Sequence, residues 1–182
     1  MSKMEKLLKI PYTVFNNDWD LLQQFLERRG NPRYELIGEV NLSNRKDIID
    51  LGNLVLVDGH LDLEYSSIET IGNLEYVGCF LDISKTPIKS LGNLKVVDGN
   101  FLLSKTSIKT LGNLVRVGGY LDLEDTQIQS LENLEYVGGY LDLRETPIKS
   151  LGKLKYVDGR IILSSNHQIP KEQLTKFKIN YI

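Results

Sequence analysis

The sequence predicts an α/β solenoid in which successive coils stack their short strands into a parallel sheet. Three observations predict it: a gap-free period of 20 residues over 51–170, apolar residues at fixed places in each unit, and a short alternating stretch within each unit. Typical units read LGNLVRVGGYLDLEDTQIQS at 111–130 and LENLEYVGGYLDLRETPIKS at 131–150. A fixed period of this length is typical of stacked repeats, so the period predicts the architecture before any single element is considered.

The apolar residues fall at positions 1, 4, 7, 11, 13 and 18 of each unit. Positions 10–14 alternate, which predicts a strand with residues such as Leu141 and Leu143 facing the core. Positions 1, 4 and 7 recur every third residue, which favours a tight, 3₁₀-like or irregular return segment. We therefore expect one strand and one return in each coil, and one parallel sheet of 6–8 strands about 4.8 Å apart.

Two short caps flank the repeats. We predict an N-terminal cap at 1–35, a repeat array at 36–170 with a degenerate first unit at 36–50 and six full units at 51–170, and a C-terminal cap at 171–182. Asp18 before WDLLQQFLERR, with Gly30 after it, predicts a capped helix that covers the first coil. Pro170 begins a short C-terminal helix, and residues 179–182 are expected to add a closing strand. Few other helices are expected.

One stretch of each repeat resembles a known family. The pattern VxGxLDLxxTxI, seen at 137–148, resembles the strand and turn LxLxxNxL of leucine-rich repeats, over roughly residues 36–170. It is most similar to the short repeats of receptor L domains or of microbial and viral proteins. The resemblance implies a right-handed coil with a concave outer sheet face. It also implies that the family's inward asparagine, which bonds adjacent coils, is replaced by a ladder of hydroxyls, with one true asparagine: Ser66, Thr86, Thr106, Thr126, Thr146 and Asn166.

The chain also departs from the family pattern. A glycine such as Gly139 intervenes before the strand in most units, which predicts a positive φ or a tight corner there; Cys79 is the exception. The flanking cysteines of the secreted families are missing, so the resemblance does not imply an extracellular role. A parallel β-helix of another type remains the structural alternative.

Composition excludes several classes of protein. The net charge is -2 with both signs interspersed, which argues against general binding to duplex nucleic acid. One cysteine, Cys79, permits neither an intrachain disulfide nor a cysteine-ligated zinc site. The N-terminal stretch MSKMEKLLKIPYTVF carries too many charges for a signal peptide or a membrane span. We expect a cytoplasmic protein, in the host cytoplasm if a virus encodes it, with no membrane partner.

The outer face of the sheet supplies the candidate binding residues. Alternation places positions 10, 12 and 14 there, and position 12 is mostly aspartate. Leu102 interrupts the aspartates with aromatic residues around it, and aromatic anchors rimmed by charge are typical of interfaces. Two alternatives stay open: duplication copied the aspartates with the scaffold, and the tyrosines stabilise the sheet by stacking. The candidate residues are Phe80, Leu102, Tyr120, Tyr140, Asp62, Asp82, Asp122, Asp142, Glu124, Arg144 and Arg160.

No catalytic constellation can be argued. The two histidines, His60 and His167, fall in different columns and different coils, and no phosphate-binding loop or metalloprotease motif occurs. We therefore expect a non-enzymatic protein–protein interaction module, an adaptor or inhibitor, without cofactor or metal. It is expected to be a monomer that binds a protein with a basic surface. An acidic mimic of nucleic acid, possibly virus-encoded, and a self-associating structural component are the alternatives.

Overall fold

The computed structural model describes residues 7–182, which form a parallel β-solenoid of about 7 turns with few helices. The strands, in chain order, are β1 (Leu8–Pro11), β2 (Tyr34–Ile37), β3 (Val40–Asn41), β4 (Leu54–Val57), β5 (Leu61–Asp62), β6 (Tyr76–Val77), β7 (Leu81–Asp82), β8 (Val96–Val97), β9 (Phe101–Leu102), β10 (Arg116–Val117), β11 (Leu121–Asp122), β12 (Tyr136–Val137), β13 (Leu141–Asp142), β14 (Tyr156–Val157), β15 (Ile161–Leu163) and β16 (Ile179–Tyr181). The helices are α1 (Trp19–Glu27), α2 (Lys171–Leu174) and a 3₁₀ turn at Tyr12–Phe15.

The strands form two parallel sheets of eight strands each. The front sheet has the order β16-β15-β13-β11-β9-β7-β5-β3, and the back sheet has the order β1-β2-β4-β6-β8-β10-β12-β14. In the full repeats each residue pairs with its equivalent in the next unit, as Leu121 does with Leu141. The solenoid class is confirmed, and the front sheet occupies the predicted positions.

The back sheet corrects the expectation of a single sheet. It lies in the segment that we expected to be an irregular return, where position 7 points inward and position 6 outward, as at Val137 and Tyr136. The coils are joined there by bonds such as Glu135 N–H to the Val115 carbonyl at 2.8 Å. Most of its strands are two residues long, too short for alternation to be visible in the sequence. Stacked strands by themselves do not assign the coil to the leucine-rich repeats or to another β-helix.

A single continuous core fills the space between the two sheets. The apolar positions expected to face inward are almost all buried, and Phe101 is among the largest side chains without exposed surface. Side chains from both sheets and from α1, such as Leu22 and Leu26, belong to the same cluster. Because each coil buries its apolar side chains against its neighbours, stability spreads along the array rather than residing in one coil.

The glycines before the front strands have a different role from the one expected. Positive φ angles occur at position 2, for example at Gly112 (57°), but not at Gly99 or its equivalents. A Cβ on Gly99 would lie 2.6 Å from the carbonyl oxygen of Cys79 in the previous coil. The positive φ is therefore wrong for these glycines. They are needed because adjacent backbones approach too closely for a side chain.

The hydroxyl ladder between coils is also corrected. Thr126 is fully buried, and its hydroxyl donates to the Leu123 carbonyl of its own coil at 2.8 Å. Asn166, the one true asparagine at this position, is exposed. Bonds between coils come instead from asparagines at position 3, such as Asn133 Nδ2 to the Gly112 carbonyl at 2.9 Å. At this position the threonine hydroxyl instead satisfies the carbonyl three residues earlier in its own coil.

The caps follow the expected plan with one addition. The Asp18 carboxylate accepts from the backbone N–H groups of Asp20 and Leu21 at 2.9 and 3.0 Å, which confirms the capped helix. At the other end α2 begins after Pro170, and β16 pairs with β15. Strand β1 was not expected, and residues 1–6 of the predicted cap lie outside the described residues. Within 7–182 no helix combines the length and the apolar character needed to cross a bilayer.

Candidate functional site

The outer face of the front sheet brings the candidate residues together in parallel columns, one for each outward position of the repeat. Asp62 pairs with Asp82, which pairs with Leu102, and the column continues through Asp122 and Asp142. Neighbouring members lie on adjacent strands, about 4.8 Å apart. Position 10 adds a parallel column in which Tyr140 is 52% exposed, and Arg160 is exposed in the last full coil.

The aspartates have a structural role that the sequence did not reveal. Each Oδ1 accepts the backbone N–H two residues later: Asp62 from Glu64 at 3.0 Å, and Asp122 from Glu124 at 3.0 Å. The bonds between coils use the N–H groups of positions 11, 13 and 15, so position 14 needs an acceptor from its own coil. The column is therefore part of the turn chemistry, and only the second carboxylate oxygen of each aspartate remains for other contacts.

The C-terminal half of the face neutralises its own charge. The Arg144 guanidinium donates to both oxygens of Asp142, at 3.0 Å to Oδ1 and 2.7 Å to Oδ2, and to Glu124 at 3.2 Å. The Tyr120 hydroxyl donates to Asp142 Oδ2 at 3.2 Å. Asp142 is 1% exposed, whereas we had expected it to present its charge to a partner. The oxygens of Asp122, Glu124 and Asp142 lie within 4.8 Å of one another. Arg144 pairs directly with Glu124 and Asp142, and its charge acts on Asp122 only from beyond 4.0 Å.

Replacing Arg144 by methionine is expected to lower the free energy of unfolding by about 2 kcal/mol, because charge-assisted hydrogen bonds to the buried Asp142 are lost. Methionine keeps much of the apolar stem. Urea denaturation followed by circular dichroism measures the change. The double variant Arg144→Met/Asp142→Asn is the control, since removing both charges should recover part of the loss. An Arg144→Met variant as stable as the wild type would show that the pair contributes nothing to stability.

The N-terminal half and centre of the face lack this neutralisation. Glu64 pairs with Lys85 at 2.8 Å, but no cation among residues 7–182 lies within 4.0 Å of the carboxylates of Asp62, Asp82 or Asp122. Burial raises the pKa of both Asp82 and Asp122 above the ordinary value of an aspartate. Asp82 is only 8% exposed. A desolvated carboxylate without a cation costs stability, and a positive charge brought by another molecule would offset this cost.

The apolar members of the face are held in different ways. Phe80 contacts His60 with ring centroids 6.2 Å apart, and Leu102 is partly buried between two aspartates. Tyr120 is fixed by its bond to Asp142 and by Asn100 Oδ1, which accepts its backbone N–H at 2.9 Å. Tyr120 is therefore held in place within the structure, while Tyr140 presents much of its ring to solvent.

The outer face of the back sheet was missed by the sequence analysis. Its exposed column includes Tyr136, whose hydroxyl donates to Asp158 at 2.5 Å and whose ring lies 4.5 Å from the Arg116 guanidinium carbon. Lysine and glutamate pairs cross its coils, as from Lys155 to Glu135 at 2.7 Å. Glutamate followed by lysine at position 5 of consecutive units, as at Glu135 and Lys155, was the signal that could have revealed this face. Its polar groups already bond to one another, so it offers less to a partner than the front face.

Two concave pockets of the described surface lie at the caps. One lies between α1 and the first coil, beside Leu26 and Tyr34; another lies between the last coil and α2, beside Leu154 and Phe177. Neither contains the candidate residues of the front face, which is a broad sheet surface suited to another macromolecule rather than to a small molecule. No family model, curated protein or solved structure matches the chain.

Proposed function

We propose that this chain is a non-enzymatic protein–protein interaction module, an adaptor or an inhibitor, that binds a basic protein surface through the outer face of its front sheet. The observation that carries the proposal is the combination of Leu102 and exposed Tyr140 with the desolvated carboxylates of Asp82 and Asp122, which have no cation of the described residues within 4.0 Å. The proposal includes a leucine-rich-repeat-like chain in the cytoplasm, supported by the 20-residue pattern and the single cysteine.

Part of the front face is held in position before binding. Side chains on a sheet lose less freedom on binding than side chains on loops, and here Tyr120 is already fixed by two hydrogen bonds. Tyrosine and leucine supply apolar contact area, and the unpaired carboxylates supply selectivity and faster association. A face of this composition favours a partner that brings both an apolar surface and positive charge.

The two alternatives make different demands on the same face. A mimic of nucleic acid needs a regular array of unpaired acids, but Leu102 interrupts the array and Arg144 neutralises its C-terminal half. The capture of a partner that dissociates steeply with salt would favour the mimic. Self-association would appear as a mass that rises with concentration in light scattering. The observed pairing therefore favours the protein-binding proposal over the mimic.

A pair of tyrosines provides the test. Tyr140 and Tyr156 are 52% and 63% exposed, on the front and back faces respectively. We expect Tyr140→Ala to lower partner capture about tenfold, as hot-spot tyrosines do, and Tyr156→Ala to leave it unchanged. Quantitative mass spectrometry of proteins captured from a lysate of the source organism, repeated at two salt concentrations, measures this. Equal capture by both variants and the wild type would contradict the assignment of the front face.

A further inference from the structure

At Leu102 the coil lacks a hydrogen bond that the equivalent aspartates make within their own turns. Its equivalents Asp82 and Asp122 each accept a backbone N–H two residues later through Oδ1. A leucine side chain has no acceptor, so the N–H of Ser104 loses this partner. The side chain is only partly buried, so core packing does not account for the substitution. Leucine at this place is therefore explained better by a contact on the outer face than by the fold.

The surroundings of Leu102 combine apolar and acidic groups. Asp82 and Asp122 flank it on the two adjacent strands, about 9.6 Å apart along the sheet at two strand spacings. Phe80 and Tyr120 precede these aspartates at position 10 of their own coils. Leu102 thus lies between two aspartates on the outer face, with aromatic residues in the adjacent coils.

Arg144 shows how a guanidinium fits this face. It lies on the carboxylates of Asp142 and Glu124 with hydrogen bonds of 2.7–3.2 Å, beside the same Tyr120. The corresponding carboxylates around Leu102 have no cation from residues 7–182 within 4.0 Å. The face therefore holds one guanidinium from the chain itself, which acts on Asp122 from beyond 4.0 Å, whereas no cation of the described residues acts on Asp82.

We propose that Leu102, between Asp82 and Asp122, forms a subsite for one arginine or lysine side chain of the partner, whose aliphatic stem lies on Leu102 and whose charge lies between the two carboxylates. This inference rests on the proposed function and deepens it by naming the group that the face selects. A long basic side chain suits both parts of the subsite, since its stem is apolar and its end is charged. A divalent metal ion does not suit it, because Leu102 offers no oxygen ligand at the centre.

The test uses a minimal probe. n-Butylguanidinium reproduces an arginine stem and charge, n-butylammonium reproduces those of lysine, and n-butanol reproduces the stem alone. Each is titrated into the isotope-labelled protein while the Leu102 methyl signals are followed by NMR, with the methyls of buried Leu81 as an internal reference. We expect saturable shifts at Leu102 with at least one of the cations and none with butanol.

Two double variants make the test specific. Asp82→Asn/Asp122→Asn removes both charges and keeps the oxygens that accept the turn N–H groups, so it should fold. Asp58→Asn/Asp98→Asn removes two charges from outside the front face, where Asp98 accepts from Tyr76. The first variant is expected to weaken probe binding about tenfold or more, since charge-assisted bonds are lost, and the second to leave it unchanged. Loss of desolvated charge should also raise the melting temperature of the first variant at neutral pH.

The outcomes separate this inference from the proposed function. Probe shifts that are equal in both double variants, or scattered over all acidic residues, overturn the subsite. If the first double variant does not fold, Asp122→Asn alone is used with the same criteria. If the probe binds saturably at Leu102 but Tyr140→Ala leaves partner capture unchanged, the subsite is supported and the protein-binding proposal is contradicted. Partner capture that depends on Tyr140, without a cation-dependent shift at Leu102, overturns the subsite alone.

Discussion

Replacing Phe101 by alanine is expected to lower the free energy of unfolding by about 4 kcal/mol. Phe101 is fully buried and stands where the neighbouring units have leucine, at Leu81 and Leu121. Removal of the ring leaves a cavity in the middle of the array, where neighbouring coils bury their apolar side chains against each other. Urea denaturation followed by circular dichroism gives the change.

Phe80 provides the matched control for this prediction. It is a phenylalanine in the adjacent coil, but its side chain lies partly exposed on the outer face. Phe80→Ala is expected to cost about 1 kcal/mol or less, because little buried surface is lost. Similar losses for the two variants would mean that the middle of the solenoid is not packed as the structure shows. Such a result would also contradict the spread of stability along the array.

Replacing Gly92 by alanine is expected to lower the free energy of unfolding by about 3 kcal/mol, the sum of a backbone strain and a clash. Gly92 has a φ of +53°, and a Cβ there would collide with the carbonyl oxygen of Gly72. The same Cβ would lie 3.1 Å from the Gly72 Cα. Neither obstacle is the end of a flexible side chain, so the two coils must separate locally. A shift of the thermal unfolding midpoint, together with urea denaturation, measures the loss.

Gly112 separates the clash from the strain. It occupies the same position of the next coil with a φ of +57°, but a Cβ there meets nothing within 4 Å. Gly112→Ala is therefore expected to cost only the strain, about 1 kcal/mol. The chain already tolerates such strain at Glu132, which has a φ of 49° at the equivalent position. A loss in Gly112→Ala as large as that in Gly92→Ala would contradict the close approach of adjacent coils.

The repeat positions that face the core could be predicted, because burial depends on whether the residue at that position has an apolar side chain. Leu141 and Leu143 face the core as expected, and the front sheet follows from their alternation. The capped helix was equally visible, since Asp18 and Gly30 mark its ends. These features depend on local geometry and on the hydrophobic effect, both of which leave a signature in the order of residues.

Polar groups were harder to assign, because hydrogen bonds depend on distances between coils. Thr126 and Asn133 both carry polar groups that recur with the repeat, yet Thr126 bonds within its coil and Asn133 bonds across coils. The aspartates of position 12 are likewise identical in the four units that carry them, but their surroundings differ. Asp142 is covered by Arg144 and Tyr120, whereas no cation among the described residues lies within 4.0 Å of the Asp122 carboxylate.

By itself, the sequence determined that this protein stacks 20-residue coils around one apolar core, with a helix over the first coil and candidate contacts on one sheet face. Only the tertiary structure decided that a second sheet closes each coil, which asparagines join the coils, and which carboxylates are already neutralised. The physical reason is that apolar burial is set by the residue and its periodic place, whereas pairing of charges requires two side chains from different coils to meet at hydrogen-bond distance. Leu102 illustrates both kinds of information. The sequence shows that the repeat is broken there, and the structure shows that Asp82 and Asp122 lie on the adjacent strands.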